Sequence, residues 1–234
     1  MKLEICTNSY QSAMNAEKAG ADRIELCSEL SVGGITPSYG LLKKISEEIT
    51  IPINVLIRPR SGNFQYSKEE FSLMKENIKL CKELGFNGIV SGVLNIDNSI
   101  DIERTKKLIE LSKPLSFTFH RAFDCVSNPK KSLEILIELK VDRILTSGCQ
   151  EKAAQGIELL KELKQLAKDR IIILPGSGIN KKNAVLFKEA GFKEIHTSAS
   201  KNSREEKSLF FGNHTQTVSN IETIKEILKV ITDA

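Results

Sequence analysis

The stretch that decides the fold is SFTFHRAFD, residues 116–124. Its first four residues alternate a small polar residue with phenylalanine, which is the pattern of a β-strand that buries one face. The strand runs directly into three ionisable side chains, His120, Arg121 and Asp124. Buried polar groups must find partners, so a strand with this ending delivers them to one end of a sheet. The stretch predicts either the start of an active site or a salt-bridged strand end that anchors the next helix.

The same theme repeats eight times along the chain, as an apolar run, a polar turn and a segment of helical spacing. The strand candidates are residues 3–8, 23–28, 53–59, 88–93, 115–123, 143–148, 170–175 and 194–199. The helix candidates are residues 9–19, 37–48, 68–84, 101–111, 129–139, 151–167, 181–190 and 221–231. Eight alternating units in 234 residues predict an α/β fold, a (β/α)8 TIM barrel that forms a single domain over residues 1–234. No GxGxxG turn follows the first strand, so an open dinucleotide-binding sheet and a nucleotide cofactor are not expected.

The composition is that of a soluble globular protein, with 40% hydrophobic and 27% charged residues. No apolar run approaches the roughly 18 residues of a membrane span. The net charge of +4 comes from interleaved basic and acidic residues, so we expect neither a membrane nor a nucleic acid as partner. The first residues lack the pattern of a signal peptide, and a cytoplasmic location is expected. Because barrels of this type often associate through their outer helices, we also expect a homodimer.

Strand periodicity predicts a polar barrel interior, since alternate residues of each strand face inward. The predicted inward set on five strands is Glu4, Cys6, Asn8, Arg23, Glu25, Cys27, Asn54, Leu56, Arg58, Ser116, Thr118, His120, Glu194, His196 and Ser198. A barrel built only for packing would carry branched aliphatic residues there, so this set predicts either a buried ion-pair network or proton-transfer chemistry. If the protein is an enzyme, the predicted catalytic residues are Glu25, His120, Asp124 and Arg58, with Glu25 or His120 moving protons.

Two loops rich in glycine and serine predict an anion or phosphate site. They follow the seventh and eighth strands, where many barrels hold phosphate on backbone N–H groups. The predicted anion-binding residues are Arg60, Ser147, Gly148, Gly176, Ser177, Gly178 and Ser198. The alternative is that the small residues only make tight turns. Residues 201–220 are expected to form a long loop before the last helix, in which Lys201, Arg204 and His214 are further candidates for contact with an anion.

The cysteines suggest a metal ion as the alternative to a small-molecule partner. The five cysteines are scattered without CxxC or zinc-type spacing, so a disulfide framework is not expected. Cys6 and Cys27 are predicted at matching depths on adjacent inward-facing strands, which would bring their sulfurs together, and thiolates prefer Cu(I) to hard cations. His120 and His196 are candidates for additional ligands. The alternative is that the two cysteines are small buried hydrophobic residues.

Six segments on different strands together resemble the CutC family. They are residues 23–27 (RIELC), 57–60 (IRPR), 118–124 (TFHRAFD), 145–148 (LTSG), 175–179 (PGSGI) and 196–199 (HTSA). The resemblance covers nearly the whole chain and implies a TIM-type barrel. It also implies a role in cytoplasmic copper homeostasis, with the ligand role falling on Cys6 and Cys27. Two functions stay open here: a Cu(I) binder, or an enzyme that acts on a small anionic or phosphorylated molecule at the barrel mouth.

Overall fold

The computed structural model describes residues 1–208 and 212–232, and the side chains of 203–208 and 212–215 lie outside that description. Eight strands alternate with eight α-helices in the described chain, and two further strands precede the last helix. The barrel strands are β1 (Lys2–Thr7), β2 (Arg23–Leu26), β3 (Ile53–Leu56), β4 (Gly88–Ser91), β5 (Ser116–Phe119), β6 (Arg143–Thr146), β7 (Ile172–Pro175) and β8 (Glu194–Thr197). The helices are α1 (Tyr10–Ala19), α2 (Tyr39–Glu48), α3 (Lys68–Glu83), α4 (Ile102–Ser112), α5 (Pro129–Glu138), α6 (Ile157–Ala167), α7 (Ala184–Glu189) and α8 (Ile221–Thr232).

The eight strands lie side by side in the order β7-β6-β5-β4-β3-β2-β1-β8, and each paired neighbour is parallel. The first strand pairs with β2 on one side and with β8 on the other. Between β7 and β8, the described residues form one isolated bridge, from Gly176 to His196. The sheet therefore curls into a nearly closed barrel, and the predicted (β/α)8 fold is confirmed.

The barrel strands separate two apolar layers, because successive side chains point to opposite faces. On β1, Leu3 and Ile5 are fully buried in the larger layer between the strands and the helices. Burial of one such side chain stabilises the fold by about 1.5–3 kcal/mol. The smaller inner layer consists of Cys6, Cys27, Leu56 and Val90. This separation agrees with the predicted alternation on the first three strands.

Side-chain caps explain where several helices begin. Ser67 and Glu70 form a reciprocal capping box at the start of α3. Asn128 caps α5, and Pro129 occupies its first turn. Each cap satisfies N–H groups that a first helical turn leaves without an intrahelical partner. The predicted start of α5 is confirmed at residue 129.

The fifth strand is shorter than the sequence predicts. It ends at Phe119 rather than at residue 123, and Arg121–Cys125 forms a 3-10 helix. The reason is a local cap, since His120 Nδ1 accepts the Ala122 N–H at 3.2 Å and turns the chain. This turn carries Asp124 from the end of β5 to the loop after β6.

The predicted long loop before the last helix is a β-hairpin. Strands β9 (Ser200–Ser208) and β10 (Gly212–Ser219) pair in antiparallel register between β8 and α8. The side chains of Arg204 and His214, which are candidates for contact with an anion, lie outside the described part of the structure.

The base of this hairpin is held against α1. The Ser219 N–H donates to Ser12 Oγ at 3.1 Å, and Asn15 Nδ2 donates to the Ser219 carbonyl at 2.8 Å. These bonds attach the segment after β8 to the helix after β1, next to the carboxyl end of the barrel. Among the helices that the structure describes, none has the length and apolar character needed to cross a bilayer.

Candidate functional site

A cavity of about 660 Å³ opens at the carboxyl end of the barrel. Cys6, Glu25 and His196 line it, and Leu30 and Phe64 are among its apolar lining residues. This volume lies in the range of small-molecule sites, and the position is the one where barrels carry their active sites. The strand ends therefore deliver several of the predicted site residues to one cavity.

The two predicted thiol ligands come together. Strand pairing places Cys6 opposite Glu25, so Cys27 lies two residues beyond the position that faces Cys6. The sulfurs lie 3.7 Å apart, because the two side chains meet diagonally across the strands. Cys6 Sγ also lies 3.5 Å from Glu25 Oε1.

A histidine joins these groups from β8. The ligand atoms offered by Cys6, Glu25 and His196 all lie within 4.8 Å of one another, and the three residues are buried. We call Cys6, Cys27, Glu25 and His196 the floor cluster. It combines two sulfurs, one carboxylate and one imidazole, all of which are donors that bind transition metals.

The pKa values of three groups in the floor cluster are shifted by burial and by their neighbours. The hydrogen bond with Cys27 and burial raise the pKa of the Cys6 thiol well above its usual value. Burial also raises the pKa of the Glu25 carboxyl, against the attraction of His196. Burial disfavours a charged His196 ring, but Glu25 and Glu4 outweigh it and raise the pKa of His196. All three shifts favour the protonated forms, so a cation that binds these groups competes with protons.

A carboxylate behind the cluster orients the histidine. Glu4 Oε1 lies 2.8 Å from His196 Nδ1. Burial opposes ionisation of Glu4, but the Arg23 guanidinium bound to it lowers the pKa of Glu4 to about 2. Because an ionised Glu4 accepts the proton on Nδ1, Nε2 is the ring nitrogen left for a ligand. Carboxylates in this position are common behind metal-binding histidines.

A buried ion-pair layer adjoins Glu4. Arg23 binds Glu4 and also contacts Glu194 at 2.5 Å, and Arg143 Nε lies 3.0 Å from Glu194. Each of these charges has an opposite charge as its partner, which offsets the cost of burial. The polar interior thus contains a structural ion-pair network, and beside it a cluster whose groups are incompletely paired.

His120 lies on the cavity wall as a neutral hydrogen-bond donor. Its ring packs against Phe64, with the ring centroids 4.8 Å apart. Burial and the charge of Arg58 lower the pKa of His120 to about 3. Because Nδ1 accepts the Ala122 N–H, the proton of the neutral ring is on Nε2. Nε2 is buried without a hydrogen-bond partner among the described residues.

Two predicted site arginines, the catalytic candidate Arg58 and the anion-binding candidate Arg60, are bound to loops. Arg58 Nη1 donates to the carbonyls of Val32 and Gly34 at 2.9 and 2.8 Å, and its Nη2 donates to the Gly62 carbonyl at 2.8 Å. Arg60 is bound by a carboxylate and by three carbonyl groups. Arg58 lines the cavity, whereas Arg60 is not among the described residues that do so. The contacts of both side chains hold loops in place.

Asp124 has a similar holding role. Its carboxylate accepts the Thr146 hydroxyl at 2.5 Å and the Cys149 N–H at 3.1 Å. It also accepts the Ser147 N–H at 3.0 Å and Arg121 Nε at 2.7 Å. Both carboxylate oxygens are occupied, so Asp124 connects the turn after β5 to the loop after β6. The predicted catalytic role of Asp124 would require breaking these contacts.

The structure brings part of the predicted anion site to the cavity. Ser177, Gly178 and Ser198 line it. Gly176 lies at the bridge between β7 and β8. The predicted members outside the described cavity lining are Gly176, Ser147, Gly148 and Arg60. Anion binding at the rim stays a prediction.

The sequence does not predict the roles of three contributors to the site. Glu4 is predicted as an inward member of the ionisable set, but its role behind His196 depends on the pairing of β1 with β8. Leu30, in a short 3-10 helix, and Phe64, in the segment after β3, lie outside the strands, where strand periodicity says nothing about direction. One feature of the sequence could have identified Phe64 as a site residue: it lies four residues after Arg60, in the segment that follows β3.

Fold and site together define a class of protein: a (β/α)8 barrel whose carboxyl-end cavity is lined by a buried thiol, a carboxylate and an imidazole, with a second buried thiol 3.7 Å from the first. A model of the CutC family matches residues 1–201, and the chain belongs to the CutC family. A CutC family protein of Klebsiella pneumoniae (strain 342) is 48% identical over 197 residues, which are 84% of this chain and 79% of the relative. The Homo sapiens copper homeostasis protein cutC homolog is 48% identical over 198 residues, or 84% of this chain and 72% of the relative.

A solved structure supports the same assignment. The crystal structure of a CutC protein from Streptococcus agalactiae has a TM-score of 0.80 and 36% sequence identity, and covers 85% of this chain and 98% of that chain. The resemblance drawn from the six sequence segments is confirmed. The whole floor cluster lies within the matched residues, whereas β10 and α8 lie beyond them.

Proposed function

We propose that this protein binds Cu(I) as its cargo in copper homeostasis, with Cys6 and Cys27 as thiolate ligands. The human relative is named a copper homeostasis protein. The observation that supports the same role for this chain is the 3.7 Å separation of two buried sulfurs, one of which, that of Cys6, belongs to a residue that lines the open cavity. Thiolates are soft ligands that select Cu(I) over hard cations.

Strand geometry favours a metal ion over a disulfide at this pair. Cys27 is displaced by two residues from the partner of Cys6. With strand spacing of about 4.8 Å and a rise of about 3.3 Å per residue, the two Cα atoms are roughly 8 Å apart. Two cysteines more than about 7 Å apart at Cα do not form a disulfide without backbone movement. The sulfurs therefore meet in a geometry that an ion can bridge and a covalent bond cannot.

Burial and access also suit a cargo ion. Cys6 and Cys27 are almost fully buried, so a bound ion would be shielded from oxidants and from competing ligands. Cys6 lines the cavity that opens at the carboxyl end, which provides the entry path. All five cysteines are free thiols, which suits the reducing environment of the cytoplasm that we propose as the location.

The test is a competitive Cu(I) titration of the reduced protein against a chromophoric chelator of known affinity. The wild-type protein is compared with the Cys6→Ser, Cys27→Ser double variant. Cys81→Ser is the matched control, because Cys81 is a buried thiol on α3 in the outer core. We expect one tight Cu(I) site in the wild type and in the control, and its loss in the double variant.

Far-UV circular dichroism confirms that each variant is folded. The proposal fails if the double variant binds Cu(I) with the same stoichiometry and affinity as the wild type. It also fails if the wild type competes no better than a folded control protein without paired thiols.

A further inference from the structure

We infer that Cys6, Glu25 and His196 form a second metal site, which takes a divalent ion of the zinc class and leaves one coordination position open to the cavity. The site uses one thiol of the proposed copper pair, that of Cys6, and leaves out the thiol of Cys27. It goes beyond the proposed function, because it assigns a different ion to a different set of ligands. Only one consequence rests on the proposed function, namely that the two ions exclude each other.

Three neighbouring strands deliver one ligand each. Cys6 of β1 lies directly opposite Glu25 of β2 in the strand pairing. On the other side of β1, His196 of β8 lies opposite Glu4, which is two residues before Cys6 and on the same face of the strand. One ligand atom from each of Cys6, Glu25 and His196 lies within 4.8 Å of the other two. The barrel register therefore brings a sulfur, a carboxylate oxygen and a ring nitrogen together.

The measured spacing of sulfur and carboxylate suits one ion between them. Bonds of about 2.3 Å to a sulfur and about 2.1 Å to a carboxylate oxygen place these two atoms about 3.6 Å apart on a four-coordinate zinc ion. Cys6 Sγ and Glu25 Oε1 are 3.5 Å apart. Thiolate, carboxylate and imidazole are the three kinds of side-chain ligand that zinc takes, and the hard carboxylate favours a divalent ion over Cu(I).

Cys27 is covered by a loop instead of lining the cavity. Cys6, Glu25 and His196 all line it, whereas Cys27 is not among the described residues that do so. Gly34 packs so closely over Cys27 that a Cβ added to this glycine would lie 3.4 Å from the sulfur. Three protein ligands with an open fourth position are typical of catalytic zinc sites, whereas structural sites have four. The open position would take water or an oxygen atom of a small molecule in the cavity.

An unpartnered carboxylate oxygen is independent evidence for a ligand at this position. Glu25 is 4% exposed. Its Oε1 accepts a weak hydrogen bond from Cys6 Sγ, and its Oε2 has no hydrogen-bond partner among the described residues. Burial of a carboxylate without partners costs free energy, and a bound cation offsets that cost.

The histidine is oriented for the same site. Glu4 Oε1 lies 2.8 Å from His196 Nδ1, which leaves Nε2 for an ion. Arg23 binds Glu4 in turn and holds the carboxylate in place. A carboxylate that accepts the N–H of a zinc-binding histidine fixes the ring orientation and raises the basicity of the other nitrogen. The contact with Glu4 therefore supports His196 as a ligand.

The shared thiol of Cys6 makes the two metal sites mutually exclusive. Cu(I) held by Cys6 and Cys27 occupies the sulfur that a divalent ion on Glu25 and His196 would need. A sulfur that bridged both ions would hold two cations within about 4 Å of each other in a buried region, where their repulsion is strong. Binding of Cu(I) should therefore expel the divalent ion.

Co(II) is the probe for this site, because it replaces Zn(II) in proteins and its visible spectrum reports the coordination geometry. The full-length protein, reduced and freed of metal, is titrated with Co(II) without oxygen. We expect one equivalent to produce the visible bands of four-coordinate Co(II) and a thiolate-to-cobalt charge-transfer band, and one equivalent of Zn(II) to abolish both. X-ray absorption of the Zn(II) complex should show one sulfur neighbour and three nitrogen or oxygen neighbours.

Variants separate this site from the thiol pair. Cys27→Ser should keep Co(II) and Zn(II) but lose tight Cu(I) binding. Glu25→Gln and His196→Gln should each weaken Zn(II) binding by at least about tenfold while Cu(I) binding persists, since loss of even an outer-shell partner costs about 10–100-fold. The matched control from α3, Cys81→Ser, should keep both metals. One equivalent of Cu(I) should remove the Co(II) bands of the wild type but not those of Cys27→Ser.

The outcomes keep the two proposals distinct. Two sulfur neighbours in the Zn(II) complex, six-coordinate Co(II) bands, or loss of the Co(II) site in folded Cys27→Ser would overturn the three-ligand site. Unchanged Zn(II) affinity in folded Glu25→Gln and His196→Gln would do the same, and X-ray absorption of the wild type decides if these variants do not fold. A wild type that binds Co(II) as expected but does not bind Cu(I) would refute the copper proposal and retain the three-ligand site. Simultaneous binding of Cu(I) and Co(II) would overturn the exclusion.

Discussion

Substitution of Glu4 by glutamine should lower the free energy of unfolding at neutral pH. The effect should be smaller at acidic pH, where the wild-type protein itself loses the contribution of Glu4. Glu4 is 1% exposed and bound by Arg23, and its pKa is lowered from 4.5 to about 2. At about 1.36 kcal/mol per pKa unit, this shift corresponds to about 3.4 kcal/mol of folding stability. A lowered pKa in the folded state means that the contribution is complete above pH 4.5 and disappears as the pH falls through 2.

At pH 3 about 2 kcal/mol of this contribution should already be lost, by the same linkage relation. The free energy of unfolding of the wild type and of Glu4→Gln, measured by urea denaturation in the presence of a metal chelator, should therefore differ by about 2 kcal/mol less at pH 3 than at pH 7. Glu110→Gln is the control, since Glu110 is exposed on α4. A difference between wild type and Glu4→Gln that is the same at both pH values would refute the reasoning.

Four further substitutions test the packing, the loops and one helix. Phe123→Ala removes a fully buried ring and should lower the free energy of unfolding by about 3–5 kcal/mol in urea denaturation; a loss below 1 kcal/mol would contradict this packing. Asp124→Asn keeps the size of the side chain but loses charged hydrogen bonds, so we expect a loss of about 1.5–3 kcal/mol and faster proteolysis after β6. Gly148→Ala should lower the melting temperature, because Gly148 has a φ of +69° and an added Cβ would collide with the backbone of Gly156. Gly40→Ala in α2, where the space is open, should instead stabilise by about 0.5–1 kcal/mol.

The sequence predicted the barrel and the inward set well, because both depend on periodicity. A two-residue alternation assigns Glu25 and Cys27 to the same face in whatever register their strand pairs. It does not determine which residues lie opposite each other, and strand pairing places Glu25, not Cys27, opposite Cys6. Register is set by the closure of the whole barrel, which brings Glu4 of β1 beside His196 of β8.

Local sequence patterns also do not predict the roles of the charged residues near the loops, for a different reason. Arg58 and Asp124 were predicted as catalytic, but much of their bonding capacity is used by backbone atoms of loops. Such partners have no side-chain signature in a sequence. The sequence pattern does not predict the hairpin formed by β9 and β10, because its strands are mostly polar and lack an apolar face.

The bridge between β7 and β8 gives the barrel an unusual mechanical property. A closed barrel has no edge strand, because every strand is bonded on both sides. Here β7 and β8 share one bridge among the described residues, so along most of their length each retains the free backbone groups of an edge. Local opening should therefore require least free energy at this seam, and amide hydrogen exchange should be faster there than in β2 or β3. His196 forms one side of this bridge, so its side chain should be the member of the floor cluster that local opening displaces most easily. The sulfurs of Cys6 and Cys27 lie at β1 and β2, which are paired with strands on both sides.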